Sequence, residues 1–216
     1  MPPPRPPIVA GRLEPAGLIS LVDEMEIEDV EVSGDLTGRD ASDIDVSGCS
    51  VKGARLTGVH LERLRITDTT LSGCDLAGAG LGGASLRRVE FRDCRLSGID
   101  LSAASLEDVS FTQCKLDAAN LRMIAGVRVQ FEDCDLRGAD FYGAKLPGLR
   151  CFRSDLREAE VSKANLRDAR LHGSTLGGIT GTADLAGAAI DSGQLVPLAL
   201  WLAAAAGVSI DDDPGD

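Results

Sequence analysis

Residues 74–123 read CDLAG AGLGG ASLRR VEFRD CRLSG IDLSA ASLED VSFTQ CKLDA ANLRM. The third residue of each five-residue unit is a Leu or a Phe, and the first is a small or β-branched residue. Two side chains that stand two positions apart point to the same face of an extended segment. Each unit is therefore a very short strand followed by a turn. Because one unit cannot bury its apolar pair alone, successive units must coil and stack.

The five-residue series of large apolar residues extends from Leu36 to Leu176, and a longer period within it sets the size of one coil. Cysteines recur every twenty residues from Cys74 to Cys134, and phenylalanines do so from Phe91 to Phe131. Since like side chains stack best on like, one coil is predicted to hold twenty residues, or four units. About seven such coils form an all-β solenoid with a square cross-section, on the order of 35 Å long at the spacing of parallel strands.

Several units follow the pattern A(D/N)LxG and resemble those of the pentapeptide-repeat proteins. Examples are CDLAG (74–78), ANLRM (119–123), ADFYG (139–143) and ANLRD (164–168). The resemblance covers roughly residues 34–180 and implies a right-handed quadrilateral β-helix. Some members of that family, of the MfpA and Qnr types, mimic DNA and bind type II topoisomerases, and many others have no assigned role. The repeat is therefore strong evidence for shape and weak evidence for function.

Outside the repeat at 34–180, the sequence predicts four further segments. They are a proline-rich tail at 1–14, an N-terminal cap at 15–33, a C-terminal cap with a helix at 181–207 and an acidic tail at 208–216. Caps are expected because both ends of an open β-helix carry unpaired strand edges. The N-terminal cap is predicted to hold a short amphipathic helix, since its apolar residues fall at i, i+3, i+4 and i+7. These residues are Leu18, Leu21, Val22 and Met25.

A second helix is predicted over roughly residues 194–206, where apolar residues surround the helix axis. One side of this helix is expected to close the last coil and to leave the other side for a partner. In MfpA-type proteins the C-terminal helical region forms a twofold dimer interface, and the resemblance implies a homodimer here as well. The interface residues are then Leu195, Leu198, Trp201 and Leu202. The alternative is a cap that folds wholly onto its own chain.

The net charge of −12 is concentrated at the two ends of the chain. Residues 1–50 carry eleven acids against three bases, whereas residues 51–200 carry nineteen of each. A neutral middle disfavours direct binding of nucleic acid, which requires a clustered basic face. No apolar run follows MPPPRPP, and the longest apolar run, 195–206, is too short to cross a bilayer. The sequence therefore predicts a cytoplasmic protein with reduced thiols that does not bind membranes.

The residue types that carry enzymatic chemistry do not form a recognisable constellation. The two histidines, His60 and His172, are predicted to point outward on different faces, and no hydrolase, metalloprotease or nucleotide-binding motif is present. The cysteines of the twenty-residue series point the same way from neighbouring coils, whereas zinc requires converging ligands. We therefore predict a protein that is not an enzyme, with buried inert thiols, no metal and no cofactor.

One side of the predicted prism carries a candidate partner-binding row of acidic residues. The row consists of Asp100, Asp140 and Glu160, with Asn120 between the two aspartates. No Lys or Arg interrupts the row, although Arg122 and Lys163 lie beside it. Together with the family resemblance, the row suggests a DNA mimic that binds DNA gyrase and either inhibits it or protects it from quinolones. The alternative is a generic protein-binding scaffold on which this side is an ordinary solvated face.

Gly126 interrupts the series of large apolar residues within LRMIAGVRVQF (121–131). The five-residue phase is the same on both sides of it, so no residue has been inserted. We expect Ile124 or Val127 to fill the gap. The alternative is a local dent used for contact.

Overall fold

The computed structural model describes residues 1–16 and 21–208, which form a parallel β-solenoid of about 7 turns. Its strands are β1 (Glu14–Pro15), β2 (Glu26–Glu28), β3 (Val30–Val32), β4 (Asp40–Ser42), β5 (Asp45–Ser47), β6 (Ser50–Lys52), β7 (His60–Glu62), β8 (Arg65–Ser72), β9 (Ser85–Arg92), β10 (Ser105–Thr112), β11 (Ala125–Glu132) and β12 (Arg150–Phe152). Two short 3-10 turns, Thr182–Leu185 and Ser192–Gln194, precede the helix α1 (Leu195–Ala205). All strand pairs are parallel, and the predicted quadrilateral β-helix is confirmed.

The pairing register confirms the twenty-residue coil. Ser85 pairs with Ser105, and Ser105 pairs with Ala125 one coil further on. The rings of Phe91, Phe111 and Phe131 stack in one column, with centroids 4.8 and 4.9 Å apart and interplanar angles of 7° and 13°. Each residue therefore lies above its equivalent in the preceding coil, at the strand spacing of a parallel sheet.

The four strands β8 to β11 are eight residues long because each runs through one corner of the square without a break. The residue at that corner is a non-glycine with positive φ, from 49° at Asp68 to 57° at Asp108. In the next coil the corner is Pro147-Gly148, and the long strand is replaced by a turn that leaves only β12. Proline followed by a glycine at φ 69° is the pair that a type II turn favours.

The core is one continuous column of inward side chains that extends from Ile27 to Leu198. Both members of each predicted apolar pair point inward, as Ala104 and Leu106 illustrate. Where a hydroxyl replaces an apolar group in these columns, it donates to a backbone carbonyl, as Ser154 Oγ does to Phe152 O at 2.9 Å. Within the described residues, no buried side-chain nitrogen or oxygen lacks a hydrogen-bond partner.

The gap at Gly126 is filled from neighbouring positions. A Cβ atom at Gly126 would meet Val129 Cγ2 at 2.7 Å and Leu146 Cδ2 at 3.0 Å. Val127 is 40% exposed, and Ile124 is buried at its ordinary inward position. The expectation that Ile124 or Val127 moves into the gap was therefore wrong, because side chains from the same corner and the next coil already occupy it.

The predicted N-terminal helix is not formed over residues 21–25, which make a turn and lead into β2. Its first position, Leu18, lies outside the described residues. The strands β2 and β3 extend the solenoid instead, and Glu26 pairs with Asp45 nineteen residues later. Local helical periodicity is overridden here because β5 and β6 offer free strand edges that an extended segment satisfies. The nineteen-residue first coil also explains why the five-residue series loses its register before Leu36.

The C-terminal helix is present, and it is tied to the last coil by hydrogen bonds. Asp191 accepts from Gly193 N at 2.9 Å, and Gln194 Oε1 accepts from Asp191 N at 2.8 Å, which together make a capping box. Gln194 Nε2 donates to Leu171 O at 2.6 Å and to Ser174 O at 2.5 Å. The helix is therefore anchored at its start, as the cap interpretation requires.

The inward phase predicts a sharp difference between two adjacent positions. Leu106→Asp places a carboxylate in a column where the residue is 1% exposed. It should reduce the free energy of unfolding by about 3–5 kcal/mol, the cost of an unpaired buried charge. Ser105→Asp, whose side chain is exposed, should change it by less than about 0.5 kcal/mol. Urea unfolding followed by circular dichroism measures both values, and equal losses at the two positions would contradict the inward assignment.

Candidate protein-binding surfaces

The predicted acidic row lies in one ladder along the solenoid. Isolated parallel bridges link each residue of the ladder to the next. The ladder contains Asp40, His60, Gly80, Asp100, Asn120, Asp140, Glu160 and Thr180. Its successive residues are about 4.8 Å apart, because each step is one strand spacing. The structure therefore brings Asp100, Asp140 and Glu160 together on one side, all of them half-buried.

Each acid of the row is held by the backbone two residues ahead. The carboxylates of Asp100, Asp140 and Glu160 accept from the backbone N–H of Ser102 at 2.9 Å, of Tyr142 at 2.8 Å and of Ser162 at 2.6 Å, respectively. Such short-range bonds stabilise the turn that follows the strand. The carboxylates are therefore fixed in position, and they also have a structural role in the repeat.

Glu160 accepts hydrogen bonds on both of its carboxylate oxygens. Its Oε2 accepts from Thr180 Oγ1 at 2.7 Å, in addition to the bond from Ser162. The hydrogen bonds from Ser162 and Thr180 lower the pKa of Glu160 below its ordinary value. This carboxylate is therefore held in its ionised form.

Arg122 partly neutralises the row. Its Nη1 lies 2.8 Å from Asp140 Oδ2, and its guanidinium carbon lies 4.4 Å from the centre of the Tyr142 ring. Lys163 Nζ donates to Tyr142 Oη at 2.5 Å. The sequence placed both bases beside the row, but the structure pairs Arg122 with its central carboxylate. Of the three acids of the row, Asp100 and Glu160 make no ion pair within the described residues.

The exposed side of α1 is apolar. Val196 is 76% exposed and Leu200 58%, and both lie on the side of the helix opposite Leu198. Of the four predicted interface residues, Leu195, Trp201 and Leu202 are exposed, whereas Leu198 is only 4% exposed and belongs to the core of its own chain. Leu198 therefore closes the last coil. Sequence reasoning missed Val196 and Leu200, because the phase of a helix that is apolar all round is set only by its packing.

Models of the pentapeptide-repeat family match this chain twice. A pentapeptide repeat region matches residues 44–121, and eight copies of the pentapeptide repeat match residues 134–173. The chain belongs to the pentapeptide-repeat family. It has no match among curated proteins.

One solved structure shares the fold of this chain, and a second is a weaker match. It is similar to full-length QnrB1, a plasmid-mediated fluoroquinolone resistance protein, with 20% identity, a TM-score of 0.52, and coverage of 84% of this chain and 97% of that one. It also matches HetL, a pentapeptide-repeat protein involved in heterocyst differentiation regulation from Nostoc sp. strain PCC 7120. That match has 22% identity, a TM-score of 0.33, and coverage of 79% of this chain and 91% of HetL. At these identities, the first likeness establishes the fold alone.

The six cysteines of this pentapeptide-repeat protein are free thiols, and all are buried. Burial raises the pKa of the Cys151 thiol to about 12 and also raises that of Cys49. Among the residues that the structure describes, no three His, Cys, Asp or Glu side chains form a group suited to a metal ion. The cysteines therefore act as small apolar groups of the core.

The two histidines lie apart and are both exposed. His60 Nδ1 is 3.6 Å from Asp40, and both lie at the N-terminal end of the ladder that contains the acidic row. The His172 ring contacts the edge of Phe152, with centroids 6.3 Å apart. The helix α1 has 11 residues, and no helix in the described part of the chain is long and apolar enough to cross a membrane.

One feature of the surface was not predicted. Residues 1–8, named here the N-terminal strap, lie along a corner of the solenoid and contact Asp68 and Asp108. The sequence suggested only a proline-rich tail, because nothing in a short local segment indicates which distant corner it contacts.

Thiol reactivity tests the burial of the cysteines. The native protein at pH 8 should not react with a thiol reagent within minutes, and all six thiols should react after denaturation. Ser105→Cys provides the control, because its exposed thiol should react at once. Rapid modification of several native thiols in the wild-type protein would contradict the stacked cysteine column.

The raised pKa of Cys151 also predicts a dependence of stability on pH. In the unfolded chain this thiol ionises near its ordinary pKa of 9.0, whereas in the folded protein it ionises only near 12. The unfolded state therefore loses its proton first, and the contribution of Cys151 to stability is full below pH 9 and is lost as pH rises towards 12. Cys151→Ala should flatten the decline of the unfolding free energy between pH 8.5 and 10.5, measured by urea titration.

Proposed function

We propose that this pentapeptide-repeat protein is a non-enzymatic, rigid rod that binds a positively charged surface of a partner protein through its acidic row. The observation that carries this proposal is the ladder of Asp100, Asp140 and Glu160, in which each carboxylate is fixed by a backbone N–H. A fixed charge loses little conformational entropy on binding, so a preorganised row favours association.

The partner we propose first is a type II topoisomerase, with DNA gyrase as the test case. Two features support this proposal: the family resemblance to proteins of the MfpA and Qnr types, and a rod of regularly spaced carboxylates that can follow a basic DNA-binding surface. In this proposal the rod occupies the DNA-binding surface of gyrase and thereby inhibits it, or protects it from quinolones.

A generic protein-binding scaffold is the second candidate, and one observation favours it. Arg122 pairs with Asp140 at 2.8 Å, so the row presents fewer free negative charges than its sequence suggests. A DNA mimic needs an unbroken row of charge, whereas a scaffold recognises a mixed polar surface equally well. The two candidates differ in whether removal of the three carboxylates affects gyrase.

We also propose that the rod is doubled by a twofold dimer through α1. The exposed apolar side, which contains Val196 and Leu200, would be covered by the same side of a second copy. A twofold axis uses one surface on both subunits, so a single apolar face is sufficient.

Removal of the acidic row tests the topoisomerase proposal. The triple variant Asp100→Asn, Asp140→Asn and Glu160→Gln removes three charges and keeps the oxygens that accept the turn hydrogen bonds. Asn already occupies position 120 of the same ladder, where it accepts from Arg122 N at 3.2 Å. Half-inhibition of gyrase supercoiling should require about tenfold more of this variant than of the wild type. The difference should shrink as salt rises, since exposed charges are screened.

The matched control is a second triple variant on another side of the solenoid: Asp75→Asn, Asp135→Asn and Asp155→Asn. These acids also accept from the backbone N–H two residues ahead, at 3.1, 3.3 and 3.1 Å, and their removal changes the net charge equally. Inhibition should be retained in this control. If micromolar wild-type protein at low salt neither inhibits gyrase nor protects it from a quinolone, the topoisomerase proposal fails and the scaffold remains.

The dimer is tested by charges on the exposed side of α1. Light scattering should give the wild type a mass of twice the 22.5 kDa chain, and Val196→Glu with Leu200→Glu should give a folded monomer. Two new charges facing their copies across a twofold axis repel and stay unpaired. The control is Met123→Glu with Val127→Glu, two exposed apolar residues on the coils, which should leave the dimer intact. A wild type that is monomeric at about 100 μM, far above the Kd of a stable dimer, would refute this interface.

A further inference from the structure

The N-terminal strap, residues 1–8, reads MPPPRPPI and runs lengthwise along one corner of the solenoid. Its contacts on this corner are Met1 with Gly148, Arg5 with Asp108 and Ile8 with Asp68. These three corner residues are forty residues apart in sequence, which is two coils at each step. The strap therefore spans four coils and runs towards the N-terminal end of the rod.

The strap and the corner have matching repeats. Proline fixes φ near −65° and also drives the preceding residue into an extended conformation, so five prolines in eight residues favour a polyproline II helix. One turn of that helix has three residues and rises about 9.3 Å, and two coils of the solenoid rise about 9.6 Å. Pro4 and Pro7, three residues apart, are the two prolines of the strap that are half-buried. They lie on the side that faces the solenoid.

Two aspartates of the solenoid accept hydrogen bonds from the backbone of the strap. Between residues 2 and 8 only Arg5 and Ile8 have a backbone N–H, because the other residues are prolines. Arg5 N donates to Asp108 Oδ1 at 2.9 Å, and Ile8 N donates to Asp68 Oδ1 at 3.0 Å. Both available donors are therefore used, and they lie one turn of the polyproline helix apart.

The side chain of Arg5 joins a charge cluster around the buried carboxylate of Asp108. Its Nε donates to Asp108 Oδ2 at 2.8 Å, and the Asp108 side chain is 0% exposed. Arg128 Nη2 donates to the same oxygen at 2.9 Å, and Glu107 Oε1 accepts from both arginines. Hydrogen bonds from Arg128 and from Arg5 hold the pKa of Asp108 well below its ordinary value. Arg87 Nε also lies 3.9 Å from Glu107 Oε2. The strap therefore supplies one of the two guanidinium partners of the buried Asp108, and Arg128 supplies the other.

We propose that this corner is a binding groove for proline-rich segments that carry one arginine, and that the N-terminal strap occupies it until a partner protein's segment of the same chemistry displaces it. The groove selects such a segment by three features: the two aspartates that accept N–H groups one polyproline turn apart, the Asp108–Glu107 pair that takes the guanidinium, and the glycine at position 148 that leaves room for a side chain. The acidic row lies on the side of the solenoid whose central inward residue is Leu101. The strap lies next to the side whose central inward residue is Phe111, which is two five-residue units further along the same coil. The two surfaces are therefore separate.

Displacement of the strap can be measured with a peptide of the sequence MPPPRPPI that carries a fluorophore after its last residue. The full-length variant Arg5→Ala weakens the hold of the tethered strap and leaves Asp108 paired with Arg128. Fluorescence anisotropy should give a Kd for the peptide that is lower for this variant than for the wild type by about tenfold or more. In the wild type the tethered strap competes with the peptide at a high effective concentration. A peptide with Ala in place of its arginine should bind neither protein.

The control variant is Arg12→Ala, an arginine that makes no ion pair within residues 1–16 and 21–208 and should leave peptide binding as in the wild type. A second measurement uses the two amides of the strap: by nuclear magnetic resonance, Arg5 and Ile8 should exchange slowly with solvent in the wild type and rapidly in the presence of excess peptide. Failure of the peptide to bind the Arg5→Ala variant, or exchange of both amides at the rate of an unstructured chain in the wild type, would overturn the proposal. A dimer that Arg5→Ala converts to a monomer would also overturn it, because the strap would then lie on a second copy.

Discussion

The structure depends on the backbone hydrogen bonds that join each coil to the next one and pair residues that are twenty positions apart. Leu96 N donates to Lys115 O at 2.6 Å, and equivalent bonds recur at every side of the square. Because this register is constant through the middle of the chain, every side chain is stacked on an equivalent side chain. The apolar columns, the stacked phenylalanine rings and the outward polar rows are all consequences of this one constraint.

The same constraint governs where charge can lie. Equivalent residues are one strand spacing apart, so a column of like charges would repel strongly. Several columns of the solenoid avoid this by changing sign from one coil to the next, although Asp135 and Asp155 are adjacent in theirs. The pairs include Asp43 with Arg63, Asp68 with Arg88, Asp75 with Arg95, Asp108 with Arg128 and Asp133 with Arg153. These pairs between coils account for part of the balance of acids and bases in the middle of the sequence.

The acidic row is an exception to this alternation, and it shows how carboxylates can be accumulated on such a frame. Asn120 separates Asp100 from Asp140 and donates its Nδ2 to Asp100 Oδ1 at 2.9 Å. Asp140 and Glu160 are adjacent, and Arg122 reaches across to Asp140. A row of acids that mimics DNA phosphates on this fold must therefore limit the repulsion between stacked carboxylates. In this protein the amide of Asn120 and the guanidinium of Arg122 reduce that repulsion.

The sequence by itself determined the repeat, the twenty-residue coil, the inward pairs, the buried cysteines and the C-terminal helix. A five-residue period repeated many times leaves only one way to bury its apolar residues, so local pattern and long-range pairing agree. Only the tertiary structure decided that residues 21–28 turn and extend rather than form a helix, that Leu198 faces the core while Val196 and Leu200 face outward, and that Arg122 pairs with Asp140. It also decided where the strap lies, since Arg5 and Asp108 are 103 residues apart. These features depend on which surfaces and strand edges remain exposed once the solenoid has formed. The local repeat pattern of the sequence therefore does not predict them.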